Sequence, residues 1–506
     1  MLNRYLSFSI IFIFILYCLI FTFLNEPLLG FASDFNENYK KNLNLNSDFI
    51  TTYSFNKDLI SGISLKSWSF APNYHFIEIL LTFFPTLIAS GIDFYVLMIS
   101  PLQLLLFSLI IVFLQKDHYN TLNNLSNILL TFLIIFLFLK FFDIFLLYIV
   151  GINSYASFFL EQLFHTLGTH SLSGVIAVLM YYYYFCHYEK KQNNLIFYLL
   201  FFTFSFSDVF FAIYFLSFYG FVFLFEKKIK NIKVISILVF LTFLGILFTY
   251  IFNPNLKIHI INKFFFKGEE QLAANFSDPV IITFSLFLIL LTLFFYLKKN
   301  NKLPKYYEPL FYGCVLVHLF NLATGLIKDF YSIKYSSVTI PVTALYFLIY
   351  LRAVRKEIYY TLIVIVSCST LLLLVFSFNK GKNIFNTYED EVTCIKNTQG
   401  YKEYNIVSSY WPGKVIFEKL NRENNFFQLT HRMGHYHWHS NTAWESNKKK
   451  NTKFQNYFLI TEGIDPNILN QLRKILKVKN VCQNRILIVQ NVDFKFTKNT
   501  LEFNQK

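Results

Sequence analysis

Between Asp58 and Pro85 the chain reads DLISGISLKSWSFAPNYHFIEILLTFFP, and Asp58, Trp68, His75 and Glu78 stand where the hydrophobic runs pause. Asp58 and Glu78 each precede an apolar run, and together they bracket SWSFAPNYHF. A carboxylate beside an aromatic ring and a proline-set turn at a membrane surface is placed to act as a general base toward a sugar or lipid hydroxyl. Glu78 has a structural reason for its position, because a negative charge is favoured in the first turn of a helix. Asp58 lies upstream of the small-residue turn SGIS and is the slightly favoured base. Asp34, Glu37 and Asp48 lie in an Asn-rich part of the same segment, where solvation of a loop is the simpler reading.

Further along, Asp208 in FSFSDVFF is an ionisable residue in an apolar stretch, costly unless paired or wet. It is expected at the outer end of a short helix. In the tail, HRMGHYHWHSNTAWE places His435, His437 and His439 on one face of a strand. No acidic or Cys ligand is interleaved and the spacing matches no zinc motif, so no metal is expected there. Trp438, Trp444 and Asn441 suit sugar stacking and hydrogen bonding, or plain packing of the domain.

The elements that must position these groups are mostly apolar. Of 506 residues, 55% are hydrophobic and 20% aromatic. Apolar segments recur from Leu6 to about Phe378, predicting an α-helical polytopic membrane protein with about eleven spans, near 6–25, 94–115, 127–151, 170–186, 194–207, 209–226, 233–252, 279–297, 308–326, 338–352 and 357–378. The basic loops EKKIKNIK, KKNNK and RAVRK mark the cytoplasmic side, which leaves a first outer loop of about 26–93 and an outward tail. The stretch 76–89 rises only ~21 Å and is expected to lie at the surface as a helix. Two domains follow: a transmembrane domain over 1–378 and an extracytoplasmic domain over 379–506. Alternating runs such as YNIVSSYW and RILIVQNVDFKF, with the helical DPNILNQLRKILKV, make the latter a small α+β domain. The net charge of +15 is explained by topology and anionic lipid rather than by nucleic acid. Cys394 and Cys482 are the two cysteines of the polar tail and are expected to form a disulfide on an oxidising side of the membrane.

An N-terminal helix, an acidic outer loop and then NYHFIEILLTFFPTLIASGIDFYVLMISPLQLLLFSLIIVFLQ resemble the GT-C superfamily of polyprenyl-phosphate-sugar-dependent glycosyltransferases, which includes the protein O-mannosyltransferases and the lipid A aminoarabinose transferase. The chain keeps His75 and the ASGID turn, and has FIE where the family has prolines. The resemblance implies an inverting transferase of the cell inner membrane that moves a sugar to a surface glycan, lipid or protein. Its base would be Asp58 or Glu78, with Asp34 third. Donors for the leaving phosphate would come from LFHTLGTHS (His165, His170) and KDFYSIKYSS (Lys334, Tyr335), the latter similar to an Asp-x-Arg-Tyr loop with Lys in place of Arg. Trp68, His75 and Asp208 would line the same substrate site. No cofactor is expected, a divalent metal being compatible with the sequence but not indicated by it; the partners would be the lipid-linked donor, the acceptor and membrane lipid. The rival readings are an O-antigen-type polymerase or ligase, and a non-catalytic transporter or scaffold for lipid-linked sugars.

Overall fold

The computed structural model describes residues 7–15, 50–64, 67–69, 75–99, 171–184, 195–226, 229–252, 307–323, 388–430, 432–435, 440–446, 455–476, 478–496 and 501–505, with isolated positions between 125 and 133, at 338 and between 361 and 368. The expectation of about eleven membrane spans is corrected. Among the described residues one helix, Ile232–Ile251, is long and apolar enough to cross a membrane, and five further apolar helices have 10–17 residues. At 1.5 Å per residue, 13-residue helices such as Leu195–Ser207 rise ~20 Å, against a hydrocarbon core of ~30 Å. An apolar run marks a helix whether or not that helix is long enough to span. The single long helix is a pointer to membrane association by length and composition; it does not support a multi-pass placement. The expected spans 127–151, 279–297, 338–352 and 357–378 lie outside the described residues, apart from isolated positions, and 6–25 and 94–115 are described only over 7–15 and 94–99.

Helix α1 (Thr51–Ile60) and helix α2 (Phe76–Ile88) both bury polar side chains, beside Tyr53, Phe55 and Ile79, while apolar ones remain exposed. On α1, Thr52, Ser54, Asn56 and Asp58 are buried while Leu59 and Ile60 are exposed. On α2, Glu78, Thr82 and Thr86 lie on the buried face at helical spacing, while Leu80, Phe84, Leu87 and Ile88 are exposed. Asn56 joins the two helices, donating from Nδ2 to Ile79 O and to Thr82 Oγ1, both at 3.0 Å. Between α1 and α2 runs the two-residue strand β1 (Trp68–Ser69).

The apolar helices α3 (Ser171–Tyr183), α4 (Leu195–Ser207), α5 (Val209–Glu226), α6 (Ile229–Phe252) and α7 (Tyr307–Ala323) pack largely through rings. Phe211, Phe215, Phe218 and Tyr219 of α5 are buried, with Phe215 against Phe201 of α4 at 5.3 Å between centroids. Gly313 lets α7 close onto α5, since a Cβ there would lie 2.4 Å from the Phe218 ring. The break between α4 and α5 falls at Asp208, whose Oδ1 accepts from Phe210 N at 3.0 Å and caps α5.

The tail begins with α8 (Glu389–Lys396) and continues through β2 (Asn405–Ser409), α9 (Tyr410–Lys419), β3 (Asn425–Leu429), β4 (Ser440–Asn441), β5 (Gln455–Ile460), α10 (Pro466–Ile475), β6 (Val478–Val481), β7 (Ile486–Phe496) and β8 (Leu501–Gln505). Five strands are ordered β3-β2-β5-β7-β6, with β8 on β7. β2 is parallel to β3 and to β5, and the remaining pairs are antiparallel. Alternation along the strands sorts side chains between two cores. Ile406, Phe458 and Ile488 join a core with Ile416, Phe417 and Trp444, while Val407, Leu459 and Leu487 join another with Leu469 and Leu472 of α10. α10 starts on Pro466 and is capped by Asp465, whose side chain accepts from Asn467 N at 2.8 Å. A disulfide between Cys394 and Cys482 ties α8 to the β6–β7 turn.

Candidate functional site

Asp58 is fully buried, and the reason is a clasp between the first loop and the tail. β1 pairs antiparallel with β4, Trp68 opposite Asn441 and Ser69 opposite Ser440. That pairing delivers both Asn441 and the nearby Trp444 to Asp58. Oδ2 accepts from Trp68 Nε1 and Asn441 Nδ2, each at 2.8 Å, and Trp444 Nε1 lies 3.2 and 3.1 Å from the two oxygens. Arg422 closes the set with an ion pair from Nη1 to Oδ1. Both oxygens are therefore occupied by donors.

Arg422 also serves Glu418, donating from Nε at 2.9 Å to Oε2 and from Nη2 at 2.5 Å to Oε1, and it reaches Ser54 O on α1 at 2.9 Å. Ser54 Oγ donates to Glu418 Oε1 at 2.6 Å, and Lys57 lies 3.4 Å from Oε2. Burial alone would raise the Glu418 carboxyl, but the Arg422 and Lys57 charges, with hydrogen bonds from Arg422 and Ser54, hold it down at about 2. Lys414 is buried in a ring of Trp68, Tyr410 and Trp444, 5.7 to 5.9 Å from their centroids, and donates to Thr51 Oγ1 at 2.8 Å. Arg422, Glu418 and Lys414 carry no motif in the sequence. The one local sign is the Glu418-x-x-x-Arg422 spacing, which by itself reads as an ordinary helical ion pair.

A second centre forms at the start of α2. His75 sits in the left-handed region at φ 53° and ψ 37°, which is uncommon for a residue with a Cβ. Its backbone N–H donates to Ser207 O at 3.3 Å, tying the first turn of α2 to the α4–α5 break. His75, Glu78 and Asp208 consequently each present a donor atom within 4.8 Å of the others, and all three residues are buried. His75 Nδ1 is 3.4 Å from Glu78 Oε1. Asp208 Oδ2 accepts from Ser173 Oγ of α3 at 2.5 Å. Glu78 Oε2 is buried and has no hydrogen-bond partner, and the same holds for the Oγ of Ser207 beside Asp208. Buried polar atoms are nearly always paired, so these exceptions require a cause.

The structure thus separates residues that the sequence grouped. Asp58 and Trp68 belong to the clasp, whereas His75, Glu78 and Asp208 come together. Asn441 and Trp444, which suited sugar recognition, are donors to Asp58. His435 pairs with Glu445 at 2.6 Å, and His437 and His439 lie outside the described residues. Asp34, His165, His170, Lys334 and Tyr335 also lie outside them. Comparison of the chain with protein-family models, curated proteins and solved structures yields no match, and the reading of function therefore rests on the geometry of these two centres and on the motifs of the chain itself.

Proposed function

We propose that the chain is an inverting glycosyltransferase that moves a sugar from a polyprenyl-phosphate donor to a glycan, lipid or protein acceptor at a membrane surface, and that the reaction takes place at His75, Glu78 and Asp208. The observation that carries this reading is the buried, unpartnered Oε2 of Glu78. A carboxylate oxygen without a donor retains its capacity to accept a proton, which the saturated Asp58 does not. In the reaction, Glu78 takes the proton of the acceptor hydroxyl. The hydroxyl oxygen bonds to the anomeric carbon, and the bond from that carbon to the phosphate oxygen breaks with its electron pair leaving on polyprenyl phosphate. The outward apolar face of α2, formed by Leu80, Phe84, Leu87 and Ile88, supports a lipid-linked substrate beside the centre. The disulfide of the tail supports an extracytoplasmic setting for residues 379–506.

Mass spectrometry of lipid-linked oligosaccharides and surface glycans from a deletion strain tests the proposal. A missing sugar restored by the wild-type gene and not by Glu78→Gln is the expected result. An unchanged glycan profile in the deletion strain refutes glycosyl transfer. Full restoration by Glu78→Gln refutes Glu78 as the base.

A further inference from the structure

We propose that His75, Glu78 and Asp208 form a binding site for a divalent metal ion of the Mn²⁺ or Zn²⁺ class. The donors come from two distant parts of the chain, and the His75 N–H to Ser207 O bond holds those parts together. One imidazole with two carboxylates is a donor set for such ions, and three protein ligands leave a coordination position open. A tetrahedral ion with bonds of ~2.1 Å spaces its donors ~3.4 Å apart. His75 Nδ1 and Glu78 Oε1 stand at 3.4 Å, and the three donor atoms at no more than 4.8 Å, so closure onto an ion needs shifts of ~1 Å or less.

The second observation is Glu78 itself. Its side chain is 2% exposed, His75 Nδ1 lies 3.4 Å from its Oε1, and Oε2 has no hydrogen-bond partner. A buried carboxylate with an unused oxygen is costly, and a cation in the cluster offsets that cost. The left-handed backbone at His75 is a further expense of order ~1 kcal/mol or more, of the kind that concentrates at ligand sites. Asp208 has its own structural duty in capping α5 and receiving Ser173, which orients its carboxylate beside the other two. The role of the ion in transfer rests on the glycosyltransferase reading: its charge would face the phosphate that departs as Glu78 acts through its second oxygen. Binding of the ion does not depend on that reading.

The test uses the full chain in detergent, stripped with a chelator and dialysed against Zn²⁺ or Mn²⁺ alone, with bound metal measured by elemental analysis and melting temperature followed in parallel. The expected result is one equivalent per chain and a metal-dependent rise in melting temperature. His75→Ala and Glu78→Gln should each weaken binding by more than the ~10-fold that loss of an outer partner costs. Both variants leave the Asp208 cap in place, and the melting temperature of each metal-free variant checks that the fold is retained. No bound metal in the wild type overturns the proposal, as does binding that neither variant weakens. Metal binding in a protein without transfer activity refutes the function and leaves the site standing; transfer by a chain that binds neither ion removes the site and leaves the function.

Discussion

Asp58 and Glu78 are carboxylates on neighbouring helices, both essentially excluded from solvent, with opposite surroundings. Around Asp58, two indoles, an amide and a guanidinium fill both oxygens. At Glu78, one oxygen faces an imidazole at 3.4 Å and the other faces no donor. Burial therefore does not separate the two carboxylates; the state of their hydrogen bonds does. Protonating Asp58 would break a network joining the first loop to the tail. Protonating Glu78 would break no bond at Oε2.

The largest effect expected from breaking this contrast is at Glu78. Glu78→Gln should reduce sugar transfer by ~10²- to 10⁴-fold. In the metal-stripped chain its melting temperature should stay level or rise, because a neutral amide replaces a buried carboxylate. Glycan profiling together with thermal melts of the purified chain reads both quantities, and a variant that melts early while retaining transfer would invert the assignment. Asp58→Asn should do the reverse, destabilising the fold by ~3 to 5 kcal/mol because Arg422 stays buried with half of its counter-charge gone. Denaturant titration measures that loss. If Asp58→Asn is as stable as the wild type and inactive, Asp58 is the base and the comparison fails.

Removing the disulfide with Cys394→Ser should cost ~2 to 5 kcal/mol, since the bridge closes a separation of 88 residues within the tail. Thiol labelling of protein purified without reductant should find neither Cys394 nor Cys482; labelling of both would contradict the bridge. The smallest effect is a pH dependence centred on the clasp. Glu418 is depressed from 4.5 to about 2 in the folded chain, so its contribution is complete above pH 4.5 and is lost as pH falls toward 2. Melting temperatures taken from pH 6 down to 2.5 should drop within that window, and Glu418→Gln should flatten the drop. An equal acid dependence in the variant would place the titrating group elsewhere.

From the residues alone, several local features were determined. Strand alternation with a Pro-started, Asp-capped helix built the α+β tail, because period 2 and a cap are written in consecutive residues. The 76–89 stretch was too short to span, and the structure has a 13-residue helix there. Cys394 and Cys482 stood out as the tail's two cysteines. Tertiary structure alone decided the rest. Among the described residues the number of spanning helices is overestimated because an apolar run reads as a span whether or not it is long enough: the break at Asp208 is legible, but Leu195–Ser207 has only 13 residues. In the sequence, Asp58 is favoured over Glu78 by the small-residue turn SGIS that follows it. Its real environment comes from Arg422, Asn441 and Trp444, more than 360 residues away in the chain. Asp208 meets His75 and Glu78 for the same reason: contacts between distant segments follow from packing and register, and neither leaves a periodic trace along the chain.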